Sequence, residues 1–266
     1  MNEKELKKHL DKLVIEFETA DFIKNDPIQF PHRFEKKQDI EISGLIASSL
    51  AFGKREKIIE AVEKIHQIIE NEPHNFCQNY KASDSTIFSK FKYRYIDGQN
   101  IADFFEGVSK VIKNFDSLEE VFLKHHNSED ETVKEGLIGF VGEILTCGNY
   151  LLPCPTKKSA CKRLNLFLKW MVRKSPVDIG IWQNVCPSKL IIPLDVHVAK
   201  VSRKLGMLKR NANDWQSAYE ITQKLKEFDS KACVLSLLPS LILTKTFTVS
   251  PGLSSGRSVF IISFSI

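Results

Sequence analysis

Apolar residues in this chain recur at intervals of three and four, segment after segment, and no other pattern limits the fold as tightly. Ile42, Leu45, Ile46, Ser49 and Leu50 lie along one stripe of a helix. Ile58, Ile59, Val62, Ile65 and Ile69 form the next stripe, and Phe104, Phe105, Val108, Val111 and Ile112 another. Val133 to Leu145 and then Ala218, Ile221 and Leu225 repeat the pattern. Such spacing buries one side of a helix, whereas a half-buried strand would alternate with a period of two. The chain is therefore expected to be all-α, some eight to ten helices joined by short loops. Residue types mark the boundaries: Asp39 and Gly53 as cap and stop, Ser117 with Glu120 as a capping box, Asp214 as a cap. Gly44, Ala47, Ser48 and Ser49 are small enough to let a second helix approach closely.

Three segments stand apart. Lys4 to Phe22 reads as a first helix through Leu6, Leu10, Leu13, Val14 and Phe17. Phe88 to Tyr95 alternates aromatic and polar residues in part, but with no strand beside it an irregular or short helical segment is expected. From Lys231 onward there is no acid, only Lys231, Lys245 and Arg257, and periodicity fades. The organisation expected is one helical domain over residues 1–230, followed by an atypical tail at 231–266, either an unpacked extension or a misread end.

With 42% hydrophobic and 27% charged residues, the composition is that of an ordinary soluble protein. The first ten residues are charged throughout, which excludes a secretory signal there, and no run of about 18 apolar residues suggests a membrane span. A cytoplasmic protein without membrane contact is expected. No Cys-x-x-Cys pair occurs among the six cysteines, and the adjacent His125 and His126 cannot share a helix face, so neither a metal nor a cofactor is expected.

Charge is concentrated. Between Ile144 and Asn213 stand thirteen Lys or Arg against two acids, Asp178 and Asp195, a net +11 in a chain whose total is +5. A phosphate-backbone partner, DNA above all, would leave this footprint. Its members Lys158, Arg163, Lys169, Arg173, Lys200, Arg203 and Lys204 are the candidate nucleic-acid contacts. Within the segment, Leu190 to Gly206 reads as an apolar run, a proline stop, an aspartate at a helix start, a helix and a glycine stop. Asp195 is placed to accept bonds from the free N–H groups of that first turn.

Pro193-Leu-Asp-Val-His-Val-Ala-Lys-Val-Ser-Arg-Lys-Leu-Gly206 resembles the aspartate-bearing signature of the helix-hairpin-helix base-excision glycosylases, endonuclease III and the archaeal 8-oxoguanine DNA glycosylases among them. Glu41 to Ile65 is similar to the early helix pair of that superfamily, and Lys162-Arg-Leu-Asn-Leu-Phe-Leu-Lys169 to the lysine-bearing helix of its archaeal branch. Residues 26–229 as a whole also resemble a family of bacterial proteins of unknown function, through Phe91-Lys-Tyr-Arg-Tyr95, Ser159-Ala-Cys-Lys-Arg163, Trp170-Met-Val-Arg173 and Pro187 to Asp195. The glycine-rich hairpin that holds a DNA phosphate in the glycosylases has no counterpart, since Pro153 to Thr156 stand in its place.

The glycosylase resemblance implies two helical lobes around a cleft and excision of a damaged base from duplex DNA. Asp195 would stabilise positive charge developing on the sugar, or act as a base. Lys162 would attack the anomeric carbon and form a Schiff base, which permits strand cleavage. Phe52, Trp170 and Trp182 are the candidate pocket or wedge residues for a base taken out of the stack. Two other readings stand beside this one: a non-catalytic nucleic-acid-binding protein, and an all-α interaction protein whose basic helices meet an acidic partner. Under either, Asp195 is a helix cap and Lys162 a phosphate contact or surface lysine.

Overall fold

Helix α1 (Lys37–Ser49) is buried on every side from Ile40 to Ser49, and the other helices are arranged around it. Gly44 is the reason a neighbour comes so close: a Cβ there would sit 2.7 Å from Met171 Cε and 3.5 Å from the Phe167 ring. Both belong to α7 (Lys162–Val172), the second helix of the centre. The structure, a computed structural model, describes residues 18–145, 151–228, 248–251 and 260–263, with positions 5, 7, 8, 11, 12, 15 and 16 near the start. It is all-α, with nine α-helices among the described residues between Lys37 and Phe228. Its buried apolar side chains form one continuous core from Ile28 to Leu225.

Around this pair lie α2 (Arg55–Ile68), α3 (Pro73–Asn79) and α4 (Gly98–Ile112), then α5 (Leu118–Leu123) and α6 (Lys134–Ile144). After α7 come α8 (Val196–Lys204) and α9 (Trp215–Phe228). Three short 3-10 turns between Ala20 and Arg33 lead the chain into α1. The stripes read from the sequence are the buried faces: Ile58, Val62 and Ile65 on α2, Phe104, Phe105, Val108 and Val111 on α4. Among the described residues no helix is long and apolar enough to cross a membrane.

Two buried polar groups fasten the centre. Glu41 on α1 accepts from Leu118 N (2.8 Å) and Glu119 N (3.2 Å), which caps α5 from a different helix, and from Trp182 Nε1 (2.7 Å). Those donors favour its anion, but burial outweighs them and raises its pKa to about 7. His66 on α2 bonds the Val62 carbonyl through Nδ1 at 3.0 Å, so that nitrogen carries the proton. Its Nε2 then accepts from Ser43 Oγ at 2.9 Å, and burial lowers its pKa to about 4.

The segment after Phe88 differs from its expectation. Lys92–Tyr93 (β1) pairs antiparallel with Ile96–Asp97 (β2), and Arg94 turns the chain with φ 53°. The partner strand follows directly after Tyr95, and strands of two residues are too short for any alternation to announce. Asp39 likewise does not cap α1, which begins at Lys37; its carboxylate accepts from His74 N at 2.9 Å and so ties α3 to α1. In the expected Lys4–Phe22 helix the described positions Glu5, Lys7, Lys8, Asp11, Lys12, Ile15 and Glu16 are helical, its apolar stripe Leu6, Leu10, Leu13, Val14 and Phe17 lies outside the described residues, and Ala20–Asn25 is a 3-10 turn. In the tail, Thr248–Pro251 (β3) pairs antiparallel with Phe260–Ser263 (β4), and the remainder of 231–266 lies outside the described residues, as does Cys147.

Candidate active site

Lys162 is the first residue of α7, and the chain reaches it through a tight left-handed turn at Cys161 (φ 48°). That turn is held locally: Cys161 N donates to Ser159 Oγ (3.1 Å) and Cys161 Sγ to the Pro153 carbonyl (3.3 Å). Burial pushes the Cys161 thiol up to about 12, so it remains protonated and serves as a donor. From this start the Lys162 side chain reaches past the end of α1, where Nζ donates to the Ala51 carbonyl at 3.4 Å.

The same Nζ lies 3.3 Å from Asp195 Oδ2, with 21% of the Lys162 and 16% of the Asp195 side chain exposed. Asp195 divides its two oxygens. Oδ1 accepts from His197 N and Val198 N, both at 2.9 Å, and caps α8. Oδ2 is turned to the lysine. Cap and acid, alternatives in the sequence, are thus compatible in one side chain. The cap fixes the carboxylate's direction, because two N–H groups of the first helical turn hold one end of it.

Beside the pair opens a small cleft with a cavity volume of about 50 Å³. Phe22, Ile58, Leu166, Trp170 and Val177 give it apolar walls, while Asp26, Arg55, Lys162 and Lys169 are its polar points. Asp26 is buried at the start of the 3-10 turn Pro27–Gln29, where Oδ1 accepts from Ile28 N at 3.1 Å. Burial raises its pKa, against the nearby charges of Arg55, Lys169 and Lys162. Arg55 opens α2 with its guanidinium 5.9 Å from the Phe22 ring centre. Its Nε and Nη2 are buried and have no hydrogen-bond partner among the described residues. Arg55, Asp26 and Phe22 escaped the sequence reading. Their only local signals are that Asp26 precedes a proline and Arg55 follows a glycine stop.

The expected nucleic-acid contacts divide. Lys158, Lys200 and Lys204 are exposed. Lys169 and Arg173, expected at a phosphate surface, are turned inward and are only 6% and 3% exposed. Both pair with the buried Asp178, Lys169 Nζ to Oδ1 at 2.8 Å and Arg173 Nε to Oδ2 at 2.5 Å, and Arg173 also meets Glu18. Lys169 is on the buried side of α7 and Arg173 just past its end, where an unpaired cation would be costly and Asp178 supplies the compensation. Arg163 gives its Nη1 to the Ser49 carbonyl (2.9 Å) and lies over the Phe52 ring (5.2 Å); burial lowers its pKa. Arg203 is committed to the loop after α8, with Nε or Nη2 donating to the carbonyls of Arg210, Asn211 and Ala212 and to Asn213 Oδ1.

The aromatic candidates divide as well. Trp170 is buried and forms part of the cleft wall. Trp182 is 1% exposed, packed on Phe122 and Phe167 and donating to Glu41, so it is a core residue with no face toward the cleft. Phe52 stands next to the cleft residues Ala51 and Gly53 and stacks on Tyr95, 5.0 Å between ring centres. The β1–β2 hairpin rests there because Gly53, with φ 107°, leaves no Cβ to meet Tyr93 Oη and Arg94. The Tyr93 hydroxyl donates to the Phe52 carbonyl.

A family model described as a protein of unknown function (DUF2400) matches residues 26–234. Neither a curated protein nor a solved structure matches the chain.

Proposed function

The chain belongs to this family of proteins of unknown function, and from that premise we propose that it is a DNA base-excision glycosylase with Schiff-base lyase activity. The observation that carries the reading is the approach of Lys162 Nζ to Asp195 Oδ2 at 3.3 Å, beside a cleft with apolar walls. The likeness of Pro193 to Gly206 to the glycosylase signature supports it from the sequence side.

In this reading Asp195 takes the ammonium proton of Lys162, and the free amine attacks C1′ of the target nucleotide. The bond from C1′ to the base breaks, and its electron pair leaves with the base, which takes up a proton. Loss of the second amine proton and opening of the C1′–O4′ bond give an imine to Lys162 and a 4′-hydroxyl. Elimination of the 3′ phosphate from that imine cuts the strand. As Asp195 gives the lysine's proton up to the departing base it becomes a carboxylate again, and in a site largely shut off from water it offsets the positive charge remaining at C1′. Lys158, Lys200 and Lys204 remain for phosphate contacts outside the cleft.

Borohydride reduction of the protein mixed with abasic DNA, and with a panel of duplexes each bearing one damaged base, tests the proposal. A covalent protein–DNA adduct is expected with the native protein and none with Lys162→Ala. The contact from Lys162 to the Ala51 carbonyl favours a second reading, in which the pair is only a clasp between α8, α7 and the end of α1. A clasp forms no adduct and releases no base, while salt-dependent binding to DNA persists.

A further inference from the structure

We infer that Arg55 and Asp26 form the recognition edge of the cleft and take a neutral purine carrying a 6-carbonyl beside an unsubstituted N7. This rests on the reading of the cleft as a base-excision site. Nε–H and Nη2–H lie on one edge of the guanidinium fork and point the same way, so they suit a pair of adjacent acceptors. In Arg55 those are the two donors that are buried without a partner among the described residues. A buried donor left unpaired has given up water and gained nothing, and such groups in a folded protein call for an explanation. An acceptor pair brought by a ligand supplies one.

Two sources offer such a pair: phosphate oxygens, or the O6 and N7 of a guanine-type base. The charge around the cleft favours the base. Lys162 is neutralised by Asp195 and Lys169 by Asp178. Asp26 lines the same cleft as Arg55. With two of the three cations lining the cleft facing an acid, less net positive charge remains to draw an anion inward. The walls argue the same way, since Phe22, Ile58, Leu166 and Trp170 suit the faces of a flat apolar ring system. Asp26 has spent Oδ1 on Ile28 N, and Oδ2 makes no hydrogen bond among the described residues, which leaves it for an N–H of the base. Phe22, half-buried over the guanidinium, must swing aside for entry and then offers its ring as a stacking face.

The test uses the whole protein and short duplexes that each hold one unpaired base: guanine, hypoxanthine, 7-deazaguanine or adenine. Dissociation constants are read by fluorescence anisotropy. Guanine and hypoxanthine are expected to bind about tenfold tighter than the other two, because 7-deazaguanine lacks N7 and adenine lacks the 6-carbonyl. Arg55→Gln and Arg55→Lys should both erase the preference. Lysine keeps the charge and loses the fork, and its folding is checked by thermal melting. Lys162→Ala, which blocks turnover, should retain the preference. Equal affinities in the native protein, or a preference that survives Arg55→Gln, overturn the inference. So does competition by inorganic phosphate that depends on Arg55, which would assign the fork to an anion. If abasic DNA is trapped but the identity of the base has no effect, the recognition edge falls alone. If no duplex binds and no adduct forms, the excision reading falls and the recognition edge with it.

Discussion

Replacing Glu41 by glutamine should make stability climb with pH between about pH 4.5 and 6.5, a window in which two buried groups of the native protein oppose each other. The folded pKa of Glu41 is about 7 against an ordinary 4.5, so between those values the folded chain holds more protons than the unfolded one. Raising the pH through that window therefore costs stability, about 3 kcal/mol in all at ~1.4 kcal/mol per pH unit. His66 acts in the opposite sense. Its folded pKa is about 4 against 6.5, so stability is complete above pH 6.5 and is lost as the pH falls toward 4, again by about 3 kcal/mol. Glutamine removes the first effect and leaves the second. It can still accept from Trp182 Nε1 and Glu119 N, both held at the Oε1 position, but its amide meets the Leu118 N–H donor to donor. That clash costs ~1–3 kcal/mol at any pH. The variant should thus lie below the native protein at pH 4.5 and gain about 3 kcal/mol on it by pH 7. Urea unfolding by linear extrapolation at half-unit steps from pH 4 to 8 measures both curves. A difference between them that stays constant with pH would refute the reasoning, because Glu41 would then not be the group that titrates.

Asp195→Asn keeps an oxygen for the cap of α8 and loses the carboxylate, whereas Asp195→Ala loses both. Trapped adduct should disappear in each, and melting should show a cap loss of about 1 kcal/mol in the alanine variant alone. Lys169→Met leaves Asp178 with Arg173 as its only cation and should cost ~3 kcal/mol in chemical denaturation. The salt dependence of its DNA binding should match that of the native protein, since the ammonium faces the interior. Gly44→Val drives methyl groups into Met171 and Phe167 and should lower stability by ~1–3 kcal/mol, read as a shifted denaturation midpoint.

The helical architecture was legible because long amphipathic segments carry their period over several turns. Gly44 and the small residues around it announced a close helix neighbour without saying which, and the neighbour proved to be α7, more than a hundred positions away. Short elements were not legible. The hairpin at Lys92–Asp97 has two residues a strand, and Asp39 found its donor on another helix rather than at its own helix start. A capping residue is recognised by its type, but its partner is chosen by the tertiary fold.

The candidate site separates along the same line. Asp195 was visible through its cap position, and Lys162 through the resemblance of its helix; their approach at 3.3 Å is a fact of packing between α7 and α8. Arg55 and Asp26 were hidden because they stand at the starts of two separate elements and gain their meaning from a wall supplied by α7. Charge counted along the chain misleads for a related reason. The basic segment carries thirteen cations, yet Lys169 and Arg173 share the buried Asp178, and Arg163 and Arg203 bond backbone carbonyls. A lysine or arginine on the inner side of a helix must bring its counter-charge or acceptor with it. A basic segment of an amphipathic bundle is thus partly an internal ion network, and it is its outward members, here Lys157, Lys158, Lys174, Lys200, Lys204 and Lys209, with Arg210 held by Asp214, that can contribute counterion release on binding DNA. The salt slope should therefore approach the contribution of these outward lysines and fall well short of the segment's full charge.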